Sequence, residues 1–188
     1  MPTTPETAAS PMSDSDALLW RIGRDPVLRT TIVAVLVLDR APRFAEVRRR
    51  LAALAEAVPR FRSRLVPAPL GWGRPRWVCT PDFDVDLHLR RMVAPPPATV
   101  RSVLDLAQVM GTTESDPALP LWEAVVVEGL ADGQAALVVK LHHVVVDGIG
   151  GLAVATRLLD THRRPRPPRP ARRPPAGPRG TVVTGWAC

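Results

Sequence analysis

Cysteine and lysine are nearly missing from this chain, which has Cys79, Cys188 and Lys140 and no others of either type in 188 residues. Two cysteines so far apart build no disulfide framework, and neither lies in a CxxC metal or redox pattern, so a reducing, cytosolic setting is expected. Nowhere do about 18 apolar residues run together. The opening stretch MPTTPETAASPMSDSDALLW has no basic segment followed by an apolar one. Neither a membrane span nor a secretory signal is therefore expected. No serine stands in a G-x-S-x-G turn, which removes the nucleophile elbow of α/β-hydrolases, and Cys79 has no local nucleophile signature. No internal repeat is visible.

Acidic residues are absent from positions 161–188, and that absence explains the formal charge of +7. Seven arginines sit there: Arg163, Arg164, Arg166, Arg169, Arg172, Arg173 and Arg179. Without them the chain has 18 basic and 18 acidic residues. The body is electrically balanced, so no nucleic-acid partner is expected. The tail also holds RRPRPPRPARRPPAGPRG, with seven prolines, which cannot bury apolar area and is expected to be extended or disordered. It reads as an interdomain linker, a basic tail for anionic surfaces, or the product of a truncated or frame-shifted gene. The remainder, in a chain that is 46% hydrophobic, suffices for one globular domain with a real core.

What is present divides into elements. Residues 1–11 read as a flexible leader. Ser13 can cap a short helix carrying ALLW, its hydroxyl accepting from the backbone N–H near Asp16. TTIVAVLVL, Thr30 to Leu38, is short and β-branched and predicts a buried strand. Phe44, Val47, Leu51, Leu54 and Val58 recur at helical spacing, with Arg48, Arg49 and Arg50 mainly on the wet side and Pro59 as the stop. Arg64–Val66 and Arg76–Cys79 flank a turn-rich stretch and predict a strand pair. DVDLHLR, Asp84 to Arg90, alternates but is short. Val100, Val103, Leu104, Ala107 and Met110 predict a second helix closed by Gly111. LWEAVVVE and QAALVVKL, joined by GLADG, predict a hairpin over residues 121–141. Gly148 to Leu159 suits a third helix.

Two of the four histidines, His142 and His143, stand where the last predicted strand ends. Side chains alternate along a strand, so only one imidazole can face a given cavity and the other must pack or hydrogen-bond behind it. Asp147 lies across a turn that Gly148 can close, placed to brace the loop through an arginine or backbone amides. An imidazole near its ordinary pKa of about 6.5 can take a proton from a hydroxyl, a contribution of roughly a hundred- to ten-thousand-fold when the hydroxyl attacks a carbonyl. Two other readings stand beside this one. The pair are polar residues that merely end a strand, or metal ligands; adjacent histidines diverge and no further clustered ligand is visible, so no metal is expected.

HHVVVDG, His142 to Gly148, is an intact HHxxxDG motif, and Pro120-Leu121-Trp122-Glu123 precedes it by about twenty residues. Together they resemble the bacterial wax ester synthase/diacylglycerol acyltransferase family. HHxxxDG alone is shared with condensation domains and plant acyltransferases; PLW-E narrows it, as do SDSDALLWRI, VPRFRSRL (Val58 to Leu65) and FDVDLHLRR (Phe83 to Arg91). The resemblance covers roughly residues 12–160. It implies an α/β, two-layer sandwich of the chloramphenicol acetyltransferase type, of which this is the N-terminal half.

The activity implied is transfer of a fatty acyl group from acyl-CoA to diacylglycerol or a long-chain alcohol, with acyl-CoA as substrate and no separate cofactor. On that resemblance His143 is the base, His142 supports the loop, Asp147 is structural and Gly148 allows the bend. Pro120, Leu121 and Trp122 shape a wall near the acyl tunnel, with plain core an equal reading of Trp122; His88 is a structural polar residue. Members continue into a second domain, which would be the missing partner, and the segment before PLW lacks the usual Leu-Asp step. A cytoplasmic site with peripheral contact to the inner membrane or lipid inclusions suits insoluble substrates. The alternatives are a condensation-type acyltransferase with another acceptor, and an inactive remnant that acts only as an interaction domain.

Overall fold

The computed structural model describes residues 9–25, 27–69 and 73–146. The helix expected at Gly148 to Leu159 and the Arg/Pro tail lie outside these residues.

Helix α1, Asp14–Ile22, starts where Ser13 accepts from the Asp16 N–H at 3.2 Å. The β-branched run forms strand β2, Thr31–Leu38. Helix α2, Phe44–Ala57, buries Val47, Leu51, Leu54 and Ala55, the apolar stripe expected from the spacing, and stops at Pro59. Its three arginines face outward and are paired: Arg48 with Asp86, Arg49 and Arg50 with Glu46. Strands β3, Ser63–Val66, and β4, Arg76–Cys79, pair antiparallel as expected.

Residues 1–11, expected to be a flexible leader, are not so throughout. Ala9–Pro11 forms strand β1 on β4, giving a sheet of order β1-β4-β3. Proline is tolerated because β1 is an edge strand. Met12, next in sequence, is buried and donates its N–H to Pro75 O at 3.0 Å. A polar segment with no alternation gives no strand signal of its own; the partner β4 supplies it.

The second half of the chain builds the larger sheet. DVDLHLR splits into one tight turn, Val85–Leu87, and strand β5, Leu89–Val93. Helix α3, Val100–Thr112, connects β5 to its parallel neighbour β6, Trp122–Glu128. Gly111 does not close α3 but lies inside it. A Cβ there would come within 3.3 Å of Val33, so the missing side chain lets the helix end lie against β2. Strand β7, Ala135–His142, returns antiparallel to β6 through a turn in which Gly129, Asp132 and Gly133 take positive φ. The order is β2-β7-β6-β5, with β7 inside.

Both faces of this sheet are covered, and the α/β class holds. On one face, Val125 and Val127 of β6 and Ala136 and Val138 of β7 pack against Val103, Ala107 and Met110 of α3. On the other, Ala124, Val126, Leu137 and Val139 meet Leu51 and Leu54 of α2, Phe61, and Leu65 and Trp77 of the small sheet. Alternation along β6 and β7 thus serves two cores at once. Leu51 has no exposed surface, so Leu51→Ala should lower the free energy of unfolding in urea by about 2–5 kcal/mol. Val109→Ala, on the wet side of α3, should change it by less than about 0.5 kcal/mol.

Candidate active site

Strand β7 ends at His142, and the chain turns at once into the single tight turn His143–Val145. The two imidazoles enter different surroundings. His142 Nδ1 accepts the N–H of Val144 at 3.3 Å, so Nε2 carries the proton and donates to Thr30 Oγ1 at 3.0 Å. The Trp20 ring lies 5.1 Å away. Burial, with a smaller contribution from the neighbouring His143, pushes the His142 pKa down to about 4. His142 is thus a neutral ring with both nitrogens committed.

His143 is fixed by its backbone instead. Its N–H donates to Thr30 O at 2.8 Å, and its carbonyl accepts the Val146 N–H at 3.2 Å. Its ring is half-buried and takes no hydrogen bond among the described residues. The sequence reading expected this division, with one histidine bonded behind and the other left for chemistry. It did not single out Thr30, which holds one histidine by its side chain and the other by its carbonyl. Gly23 was also missed. A Cβ on Gly23 would overlap the Thr30 hydroxyl and approach His142 Nε2 to 3.1 Å, so glycine lets the end of α1 close over this pair.

The PLW-E segment meets the histidines through its backbone. His142 N–H donates to Leu121 O at 3.0 Å, an extension of the β6–β7 ladder. The side chains of Leu121 and Trp122 are core: both are buried, and the Trp122 indole N–H donates to Phe61 O at 2.9 Å. His88 stacks on Trp122, 4.6 Å between centroids, and its Nδ1–H donates to Trp122 O at 2.8 Å. Burial lowers its pKa despite that bond, consistent with a structural role. Pro120, Trp122 and His88 also border a cleft of about 230 Å³, with Arg90, Glu114 and Asp116; His143 is not among its lining residues.

Glu123, the last residue of PLW-E, pairs with the lone lysine. Lys140 Nζ, only 1% exposed, lies 3.0 Å from Glu123 Oε1 and 2.9 Å from Thr113 O, tying the end of α3 to the strand that delivers the histidines. The only signal for it was rarity of type. Asp147 and Gly148 lie outside the described residues. No group of three or more His, Cys, Asp or Glu able to hold a metal occurs among the described ones.

Two outcomes follow for His142 and its cover. An unfolded histidine binds a proton near pH 6.5 and His142 in the fold only near 4, so the unfolded state carries more protons between these values. Stability should therefore fall as pH drops from about 6.5 to 4, and His142→Asn should flatten that dependence in urea midpoints. Gly23→Ala should cost about 1–3 kcal/mol and shift the His142 ring signals in NMR.

Comparison with known proteins fits this geometry. The model of the wax ester synthase/diacylglycerol acyltransferase catalytic domain matches residues 12–186. A putative diacylglycerol O-acyltransferase of Mycobacterium tuberculosis H37Rv is 41% identical over 154 residues, 82% of this chain and 31% of the relative. A probable diacylglycerol O-acyltransferase of the same organism is 40% identical over 141 residues, 70% of this chain and 31% of the relative. This chain thus spans about a third of the length of these relatives. The wax ester synthase/diacylglycerol acyltransferase from Marinobacter aquaeolei VT8 superposes with a TM-score of 0.63 at 27% identity, over 79% of this chain and 38% of that one. The starter condensation domain of rhizomide synthetase superposes at 0.65 with 14% identity, over 81% and 38%, a likeness of fold alone. These neighbours have the fold of the chloramphenicol acetyltransferase type. HHxxxDG and PLW-E were a resemblance in the sequence; with the family model matched along nearly the whole chain, the protein belongs to the wax ester synthase/diacylglycerol acyltransferase family.

Proposed function

We propose that this chain supplies the general-base half of an O-acyltransferase site, which moves a fatty acyl group from acyl-CoA to the hydroxyl of diacylglycerol or a long-chain alcohol. The observation that carries the reading is the division of labour between the two histidines. His142 has both nitrogens committed and stays neutral, while His143 has a fixed backbone and a ring with no hydrogen bond among the described residues.

In this scheme a ring nitrogen of His143 accepts the alcohol proton as the oxygen attacks the thioester carbonyl. The tetrahedral adduct collapses with cleavage of the carbon–sulfur bond. The departing CoA sulfur takes the proton back from His143, which returns neutral. No covalent enzyme intermediate and no cofactor beyond the acyl-CoA substrate enter. For Asp147 the resemblance implies a structural role, and for Gly148 the freedom to bend. Pro120, Leu121 and Trp122 belong to the wall behind it, with substrate contact assigned to Pro120 at the cleft edge. The length present in the relatives and not here supplies the second domain, and with it the rest of the acyl tunnel.

Lipid substrates suit the surface next to the site. Leu18, Val27 and Leu28 are exposed on the segment whose Trp20 and Gly23 touch His142, and no helix among the described residues is long and apolar enough to cross a membrane. Those side chains support a reading of peripheral contact with a membrane surface or a lipid inclusion.

Purified chain, alone and mixed with the C-terminal part of the 41%-identical relative, should convert radiolabelled palmitoyl-CoA and diolein or hexadecanol into triacylglycerol or wax ester. His143→Ala should cut the rate by about 10²- to 10⁴-fold. Failure of both acceptors in both preparations, or a His143→Ala variant as fast as the parent, overturns the reading; turnover with an amine acceptor only would favour a condensation-type enzyme.

A further inference from the structure

We propose that Arg60, held in place by Asp16, is the positioning residue of the histidine turn, and that it acts on His143 through the Val144 carbonyl. The inference rests on the acyltransfer reading for its catalytic meaning. Its structural content stands on four contacts that meet at one guanidinium and one residue, Val144.

Arg60 lies in the turn Pro59–Arg62 that follows α2. Its Nη1 donates to Val144 O at 2.8 Å and its Nη2 to Asp16 Oδ2 at 3.0 Å, while the guanidinium carbon sits 5.4 Å from the Trp77 ring centroid. A planar fork can serve a carbonyl and a carboxylate at once and still lie over an aromatic ring, which an ammonium cannot do. Asp16 comes from the first turn of α1 and its side chain is 14% exposed. Three parts of the chain distant in sequence thus converge: α1, the turn after α2, and the turn after β7.

Val144 is where they act. The residue is fully buried; its N–H goes to His142 Nδ1 and its C=O to Arg60. His143, just before it, is held by Thr30 O at its N–H and by Val146 N–H at its carbonyl. The backbone on both sides of the proposed base is therefore fixed, and among the described residues Arg60 is the side chain that holds the Val144 carbonyl. A charged donor makes a stronger hydrogen bond than a neutral one, and this one holds the three-residue turn in one conformation. Without it, the Val144–Val145 peptide can rotate, which breaks the Val146 N–H bond to His143 O and frees the backbone that carries the His143 ring.

Amide exchange by NMR on the 188-residue chain reads the turn directly. In Arg60→Met, the Val144 and Val146 amides should exchange about 10- to 100-fold faster, while those of Leu54 and Val138, in the two cores, keep their rates. Arg60→Lys, which retains one donor for Val144 O, should fall between Met and the parent. Should Arg60→Met not fold, Arg60→Lys against Asp16→Asn carries the same comparison: each speeds the two amides, and the double variant less than additively, because the pair works as one clamp.

Unaltered exchange at Val144 and Val146, or an acceleration spread evenly over β7 and α2, overturns the proposal. In the palmitoyl-CoA assay, kcat should fall about 10- to 100-fold in Arg60→Met with KM within twofold, and recover in part in Arg60→Lys. A rise in KM at constant kcat overturns it as well. A parent chain with no turnover in either preparation, alone or mixed with the C-terminal part of the relative, whose Val144 and Val146 amides respond as described keeps the clamp and removes the acyltransfer reading instead.

Discussion

A neutral imidazole buried at the end of a central strand is the constraint on which the site depends. Burial opposes charge on His142, and an uncharged imidazole must find one donor and one acceptor. Val144 N–H and Thr30 Oγ1 answer that need, and in doing so they bind the turn after β7 to the start of β2. Gly23 is part of the same solution, since the hydroxyl and the ring leave no room for a side chain where α1 ends. The second histidine is placed by the first.

The larger sheet explains why this arrangement is stiff. Strand β7 is paired on both sides, and its alternate residues enter cores on opposite faces, so it cannot slip by one residue without turning both cores inside out. Lys140, just before the histidines, adds a polar lock. Its ammonium is buried against Glu123 and the Thr113 carbonyl, a costly arrangement that holds only in one register. PLW-E and HHxxxDG lie side by side for the same reason, because Trp122 is directly opposite Leu141 in the ladder.

Much of this was legible in the sequence, and the gaps have physical causes. Periodicity located α1, α2 and both halves of the hairpin, because each buries a face whose spacing follows from its own geometry. Alternation at a strand end foretold that the histidines would divide. The strand at Ala9–Pro11 left no mark, since a three-residue edge strand borrows its order from β4. Gly111 looked like a helix stop, yet its meaning is the closeness of Val33 from another strand. Thr30, Gly23, Asp16 and Arg60 escaped notice as site residues for a related reason. Each acts on a partner far along the chain, and nothing in the local pattern tells a threonine or arginine which carbonyl it will meet.

The contact between Thr30 and His142 joins residues 112 apart. Closing so long a loop is an entropic burden met only by the whole of β2 pairing with β7. During synthesis β2 emerges early and must wait, as an unpaired apolar edge, until nearly the entire domain has left the ribosome. The histidine turn is thus assembled among the last events of folding, and a nascent chain stalled before β7 would carry exposed strands prone to aggregation.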